Sequence, residues 1–452
     1  MTNKENKNIL FVAYFYPPLA GSGVYRSIKF SKYLSQYSWN PIVLTTDRPP
    51  PTWNYMDESL IDEIPNDVTV YRISDPYDGI HRRELMGIID DTGLQKLDQL
   101  LMTVFEDNND ALKLYREYKK SDIKNITQIV LFQVMWAVEV IRFIEENYIY
   151  KSLDAIYTTT GPDCAHLIGY YLKKKYNIPW MADFRDEWTN NPYFSYDIKS
   201  PAYKLYYYLE KNILNMADSI ISVSECIVSN FVTTFKVPST KVKSITNGYD
   251  ELDFCNLEFK ECKNNKFTIT YCGVSNTKLL NPIFEAINYL IEHTSIDKEK
   301  VIINIVGSQR EDNIKMIKNL NMDKLVILTE YCNHSNALKF MIDADILLLP
   351  IGDDIAFSGV YSGKIFEYLR SGVPILAIAP YGGVVDAIIQ ETGQGVSLLS
   401  KESEKIRNTI LGYYEKWRDC NRKHYYINPS IMRFERKNLT SQLAAILEHI
   451  VK

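Results

Sequence analysis

The sequence predicts an α/β protein made of two doubly wound parallel-sheet domains, and three observations carry that prediction. Short apolar runs recur along the chain with helical segments between them, the alternation that βαβ units produce. At 452 residues the chain is longer than one hydrophobic core ordinarily supports. The alternation breaks once, at residues 249–266 (YDELDFCNLEFKECKNNK), which are polar and without a period, and it restarts at Phe267. These signals set a first domain at 1–250, a second at 251–430 and a final segment at 431–452, with a helical insertion at about 80–150.

The expected strands are, in order, NILFVAYF, PIVLTT, VTVYRI, AIYTTT, PWMADF, SIISVS and VKSITN, then FTITYCG, VIINIVG, LVILTE, DILLLP and PILAIA. Each is a short apolar run bounded by turn residues, as buried parallel strands are. Residues 80–150 depart from the pattern, being charge-rich around ELMGIIDDTGLQKLDQLL and helical in period. Within them, 129–146 (IVLFQVMWAVEVIRFIEE) reads as a helix covering the sheet rather than one lying on a membrane, since its polar face carries little basic charge. The stripe Tyr203, Tyr206, Tyr207 and Tyr208 reads as the core and rim of one helix. The last segment is amphipathic, with Leu439, Leu443, Ile446, Leu447 and Ile450 near one face.

Composition excludes several function classes. Apolar residues at 46% and charged residues at 24% fit a globular protein, and a net charge of −5 supplies no basic field for nucleic acid. The seven cysteines are scattered with no C-x-x-C pair, which reads as reduced thiols of a cytosolic protein rather than a disulfide frame or a zinc site. No secretory apolar segment precedes the first strand and no run of eighteen apolar residues occurs. The six histidines lack H-x-x-x-H spacing, and His166 reads as a packing residue.

The most informative stretch is residues 344–378, where an apolar strand feeds a Gly/Ser loop and then a helix opening Lys364-x-x-Glu367. A helix start presents unpaired N–H groups and the positive end of its dipole, so Ser362, Gly363 and Lys364 are placed to cradle a diphosphate. Glu367, one turn in, offers an acceptor-only group for a ribose diol. In the first half, Gly21 and Gly23 lie at a strand-to-helix turn that lacks the third glycine of a dinucleotide fingerprint, Arg26 standing in its place as a cationic partner. Gly161-Pro162 and Asp183-Phe-Arg185-Asp186 end two further strands, where the acids are open either to orient sugar hydroxyls or to hold Arg185. In the second half, Gly273 and Lys278 form another glycine loop, and Tyr331 to His334 a loop suited to framing a nucleobase. Asp343-Ala-Asp345 matches a metal-binding D-x-D but sits at the amino end of a strand, so no metal is assigned.

Taken together these motifs resemble the retaining, GT-B-type glycosyltransferases of family four, above all the bacterial subgroup that builds cell-surface polysaccharides. The residues that carry the resemblance are YFYPPLAGSGVYRSIKFSKYL, TTTGPDCAHLIGYYLKKKYNIPWMADFRDEW, LEKNILNMADSIISVSE, ITNGYD, YCG, INIVG, ADILLLP and SGKIFEYLRSGVPILA. They span residues 9–396 in the family's order, and the insertion at 80–150 is not covered.

The resemblance implies two Rossmann-like domains facing a cleft, the final segment crossing back to the first domain, and reaction without an essential metal or cofactor. It implies a nucleotide-sugar donor, a UDP-sugar in preference to a GDP-sugar, on the C-terminal domain and a glycan or lipid-linked acceptor on the N-terminal domain. It also implies a cytoplasmic protein with peripheral contact at the inner membrane face. By motif, Glu367 would bind the ribose. Ser362, Gly363, Lys364, Gly273, Lys278, Gly21, Gly23 and Arg26 would surround the diphosphate, with Tyr331 also on the donor. Asp183, Arg185, Asp186 and Lys364 would carry the chemistry. Two departures stand out: Gly359 replaces the first acid of the family's Glu-x7-Glu element, with Asp353 and Asp354 the nearest acids, and the paired Arg and Lys of the second glycine loop reduce to Lys278, leaving Lys364, Arg26 or Arg310 to assist. A non-hydrolysing nucleotide-sugar epimerase and an inactive nucleotide-sugar-binding protein are the rival readings.

Overall fold

A computed structural model describes residues 6–48, 55–74, 113–114, 117, 134–192, 197–259, 265–274, 277–294, 296–307, 311–419 and 425–452. Most of the 80–150 insertion, and Arg310, lie outside the described residues. The chain divides into two compact units, Met1–Thr246 with Leu439–Lys452, and Asn247–Asn438.

In the first unit the strands are β1 (Lys7–Val12), β2 (Trp39–Thr46), β3 (Thr69–Ile73), β4 (Ala155–Thr159), β5 (Trp180–Phe184), β6 (Ser219–Ser222) and β7 (Val242–Ser244). Among the described residues they form one sheet in the order β3-β2-β1-β4-β5-β6-β7, every neighbour parallel. Alternate residues of β1 enter opposite cores: Leu10 and Val12 meet Trp136, Val140 and Ile144 of the helix Val134–Glu146, whereas Ile9 and Phe11 meet Leu439, Leu443 and Leu447 of the helix Arg436–Ile450. Both faces are covered, which is why these strands read as continuous apolar runs. Lys7 Nζ holds Glu448 at 2.8 Å, tying the last helix to the first strand.

The second unit contains β8 (Phe267–Cys272), β9 (Val301–Val306), β10 (Val326–Thr329), β11 (Ile346–Pro350), β12 (Ile375–Ile378) and β13 (Gly395–Leu398). Its parallel sheet runs β10-β9-β8-β11-β12-β13 among the described residues. Leu347 and Leu349 point into one core with Phe366 and Leu369, and Ile346 and Leu348 into the other with Ile283 and Phe284. The strand β13 is missing from the sequence expectation because GVSL is short and half polar; its pairing with β12 supplies what its composition does not signal.

In each sheet the strand order reverses direction once, at β1/β4 and at β8/β11, and chain turns open there on the carboxyl side of the strands. Helix-to-sheet distance matters at these turns. Gly169, in the helix Ala165–Tyr176, lies so close to Trp180 that an added Cβ would fall 2.3 Å from the indole. The indole cannot retreat freely, because its N–H donates to Thr158 Oγ1 at 2.9 Å. Gly169→Ala is therefore expected to cost about 1–3 kcal/mol by overpacking, read as a lower urea midpoint; an unchanged midpoint would show that the helix slides at no cost.

Candidate functional site

The carboxyl edge of the first sheet gathers most of the charges singled out in the first half of the sequence, and the structure pairs two of them, Arg26 and Asp183, with each other. Arg26 is fully buried and forks onto Asp183, Nε to Oδ2 and Nη2 to Oδ1, both at 2.8 Å, while Nη1 donates to the Thr246 carbonyl at 2.8 Å. Asp183, equally buried, also accepts from Tyr157 Oη at 2.5 Å and Thr159 Oγ1 at 2.9 Å. Burial alone would raise its pKa, but the Arg26 guanidinium and these hydroxyls hold it below the usual carboxylate range. Arg26 thus has its three nitrogens committed inside the unit, and Asp183 is a buried counter-ion that presents no surface to a substrate.

Arg185 fills the space beside two of the strand-end glycines. Its backbone N–H donates to Thr160 Oγ1 at 2.7 Å and its Nε to the Thr160 carbonyl at 2.6 Å. The guanidinium lies across Gly23 and Gly161, where an added Cβ would stand 1.6 Å and 2.0 Å from its nitrogens. The φ of 85° at Gly161 favours glycine there, whereas at Gly23 the approaching group is the far end of the Arg185 side chain of the same unit, which can shift. Gly21, at φ 124°, caps the start of the helix Ser22–Leu34.

The neighbouring acids differ from one another. Asp186 is exposed and lies in the field of Arg185 and Asp183. Glu187 is partly buried, accepts from Asn230 and from Asn190 Nδ2, and is pushed up to about 7 by burial, which those amides only partly offset. Its proton is therefore exchangeable near neutral pH, a property the sequence does not signal. Asp163 accepts from Tyr206 Oη, and His166 is fully buried against Phe184, its pKa depressed to about 3 by burial, so it is a neutral packing group.

The carboxyl edge of the second sheet is organised differently. After β11 the chain makes a loop and enters the helix Lys364–Ser371, which ends at Gly372 with φ 72°. Its N-cap, Gly363, offers no side-chain hydrogen bond, and the N–H groups of Ser362 and Gly363 have no partner among the described residues. Lys364 N–H is held at 3.3 Å by Ser362 Oγ. One turn further in, Glu367 is 12% exposed, and its Oε1 accepts from His334 Nε2 at 2.8 Å. Its other oxygen, Oε2, is buried with no hydrogen-bond partner among the described residues. Burial works to raise this carboxyl, but His334, Lys364 and Arg436 pull it down to about 2. Glu367 is therefore an anion at neutral pH with one oxygen held and one left open.

The remaining expected residues are distributed around this point. Gly273 closes β8, where Gly307 leaves room for its carbonyl: an added Cβ on Gly307 would fall 2.4 Å from it. Lys278 is exposed on the helix Thr277–His293, and Tyr331, 38% exposed, follows β10 on the loop that ends in His334. Asp353 and Asp354, the acids nearest Gly359, accept from the Ser400 and Ala356 amides at 2.6 and 2.9 Å and so brace loops. Asp345 Oδ2 accepts from Thr268 N–H at 2.8 Å, a strand-pairing role. His334 is the residue that sequence reasoning missed as a partner of Glu367. Its Asn333 N-cap marks a helix start, but nothing in the sequence links positions 334 and 367.

Comparison with known proteins agrees with this architecture. The model of the family described as Glycosyltransferase Family 4 matches residues 128–251. No curated protein matches the chain. Among solved structures, a glycosyltransferase from Rickettsia africae ESF-5 aligns with 99% of this chain and 99% of its own at 14% identity and a TM-score of 0.61. Anabaena Alr3699/HepE in complex with UDP and glucose covers 97% and 99% at 15% identity and a TM-score of 0.61. A putative UDP-N-acetylglucosamine 2-epimerase from Listeria monocytogenes covers 98% and 96% at 11% identity and a TM-score of 0.54. At these identities the likeness is one of fold, that of GT-B proteins with two Rossmann-like units. No helix among the described residues is long and apolar enough to cross a membrane.

The buried pair gives a direct test of structural against catalytic duty. Asp183→Asn leaves Arg26 charged and uncompensated inside the unit, and is expected to cost about 3–5 kcal/mol of stability by chemical denaturation. A variant of wild-type stability that had lost turnover alone would return Asp183 to the reaction.

Proposed function

We propose that this protein is a glycosyltransferase that moves a hexose or N-acetylhexosamine from a UDP-sugar to a glycan, a lipid-linked glycan or another cell-surface polysaccharide acceptor, with retention and without an essential metal. One observation carries the reading: an ionised carboxylate with an open oxygen, Glu367, stands one turn inside a helix whose first residue is Lys364 and before which the Ser362 and Gly363 amides have no partner among the described residues. A nucleoside diphosphate is complementary to that pattern, its pyrophosphate meeting the amides and the ammonium and a ribose hydroxyl supplying the donor Oε2 lacks. The family match supports glycosyl transfer, and the UDP-bound Anabaena neighbour supports a UDP-sugar as the ligand.

Breaking the anomeric C–O bond transfers its electron pair to the β-phosphate oxygen, so the charge to be stabilised appears on the leaving diphosphate. On this reading the Ser362 and Gly363 N–H groups and the Lys364 ammonium meet that growing charge. In front-face attack the acceptor hydroxyl reaches the anomeric carbon from the side the diphosphate leaves, and its proton passes to the departing oxygen, so no enzyme base is required. On the acceptor side we place Arg185, Asp186 and the proton-exchanging Glu187, which offer sugar hydroxyls both donors and acceptors. Arg26 and Asp183 act behind them by fixing the strand ends. Contact with the inner membrane face follows where the acceptor is lipid-linked.

Thermal-shift measurements with UDP, GDP, ADP and CMP test the donor class, a selective rise with UDP being expected. Glu367→Ala should weaken UDP binding about 10- to 100-fold, the worth of a hydrogen bond to a charged group. Lys364→Ala should lower kcat about a hundredfold or more, the cost of one contact to developing charge. Proton NMR of the new linkage should show the anomeric configuration of the donor; the opposite configuration removes the front-face mechanism. Incubation with UDP-N-acetylglucosamine alone separates the rival, since accumulation of the 2-epimer would identify an epimerase.

A further inference from the structure

His334 has no role in the function just proposed, yet it is the group in direct contact with the carboxylate on which that function turns. It opens the helix His334–Asp343, whose N-cap Asn333 accepts from Asn336 N–H at 3.0 Å, and its ring is almost wholly buried. Nε2 stands 2.8 Å from Glu367 Oε1, and Nδ1 stands 3.8 Å from Asp253 Oδ2. An ionised carboxylate only accepts hydrogen bonds, so Nε2 carries its hydrogen in both charge states of the ring. The proton that comes and goes is the one on Nδ1, the atom facing Asp253.

We infer that His334 is a positioning residue for Glu367, fixing one carboxylate oxygen so that the other is left for the ribose, and that the proton on its Nδ1 couples donor binding to pH. The inference rests on the donor site proposed above. The positioning half follows from geometry. A carboxylate turns about its last torsion unless one oxygen is anchored, and Oε1 has its anchor in His334 while Oε2 has no partner among the described residues.

The charge half follows from what surrounds the ring. Asp253 approaches from the turn Glu251–Phe254, and Glu367 and Lys364 from the helix Lys364–Ser371. Arg436 acts on Glu367 from the chain beyond. From β8 come Cys272 and Tyr271, both pushed up to about 12 by burial and so neutral, and β9 carries no titratable side chain. Cys332 lies two residues earlier on the loop, and Lys339 and Asp343 lie further along the same helix. The helix start disfavours a cation on the ring, whereas the two flanking carboxylates favour one. Histidine ordinarily changes charge between about pH 5 and 8. When it does so here, a positive charge appears beside the amides and ammonium that would meet a diphosphate carrying two negative charges. Falling pH therefore strengthens donor binding, and by linkage a bound donor makes the ring hold its proton more tightly.

The test is calorimetric titration with UDP-glucose and UDP-N-acetylglucosamine, whose diphosphate diesters have no titration of their own in the working range. The wild type should bind about fivefold more tightly at about pH 5.5 than at about pH 8.5. His334→Gln keeps an N–H near the Nε2 position but does not titrate, so it should retain the affinity of the alkaline wild type with a flat pH profile. His334→Ala, which frees Glu367, should bind about tenfold more weakly even at alkaline pH. A His334→Gln profile with the wild-type slope overturns the inference and leaves the donor site standing; absence of binding at every pH overturns the donor site itself. Should the variants fail to fold, NMR titration of the His334 ring in the wild type decides the matter, a midpoint unmoved by UDP-glucose being the adverse result.

Discussion

Burial of both faces of each sheet is the constraint from which the rest of this structure follows. When Ile9 and Phe11 enter one core and Leu10 and Val12 the other, no position in the middle of the strand can hold an unpaired charge at tolerable cost. Polar chemistry is displaced to the strand ends, and parallel pairing places all carboxyl ends along one edge of the sheet. Residues far apart in sequence meet there because the backbone has no other place for them. Arg26 and Asp183 are one such pair, separated by 157 positions and joined by two 2.8 Å bonds; His334 and Glu367 are another.

The two edges use that displacement in opposite ways. At the first sheet one pair of charges completes itself, Arg26 being matched by Asp183, while Arg185 is seated over two glycines and bonded to Thr160. At the second sheet the set is left incomplete, with the Ser362 and Gly363 amides and Glu367 Oε2 without a hydrogen-bond partner among the described residues although the Glu367 carboxyl is ionised. A buried acceptor without a donor costs about 1–3 kcal/mol, and a fold retains such a group most readily where a ligand completes it. That asymmetry is the physical reason we propose the second unit for the nucleotide and the first for the less charged acceptor.

Fold class was legible because apolar runs of buried parallel strands are strong local signals: NILFVAYF, PIVLTT, AIYTTT, FTITYCG and DILLLP each overlap an observed strand. The strand β13 escaped because four residues with a serine among them carry no such signal. The site was legible in part. A glycine-rich turn followed by Lys364-x-x-Glu367 announces a helix start with an acid one turn in, since both features are local in sequence. The partners were not, and Arg26 shows why. From its place after Gly23 it reads as a cation awaiting phosphate, whereas the folded chain brings Asp183 to it from another strand.

The amino-acid sequence by itself determined the alternation of strands and helices, the places where turns must open, and the helix start at Lys364 with Glu367 one turn in, because each depends on neighbours within about one turn of chain. Tertiary structure alone decided which charges are spent and which remain available: it neutralised Arg26 with Asp183, packed Arg185 against Gly23 and Gly161, and set His334 against one oxygen of Glu367 while leaving the other open. Electrostatic pairing acts through space in a low-dielectric interior, so it follows the distances that sheet packing creates and carries no trace of separation along the chain.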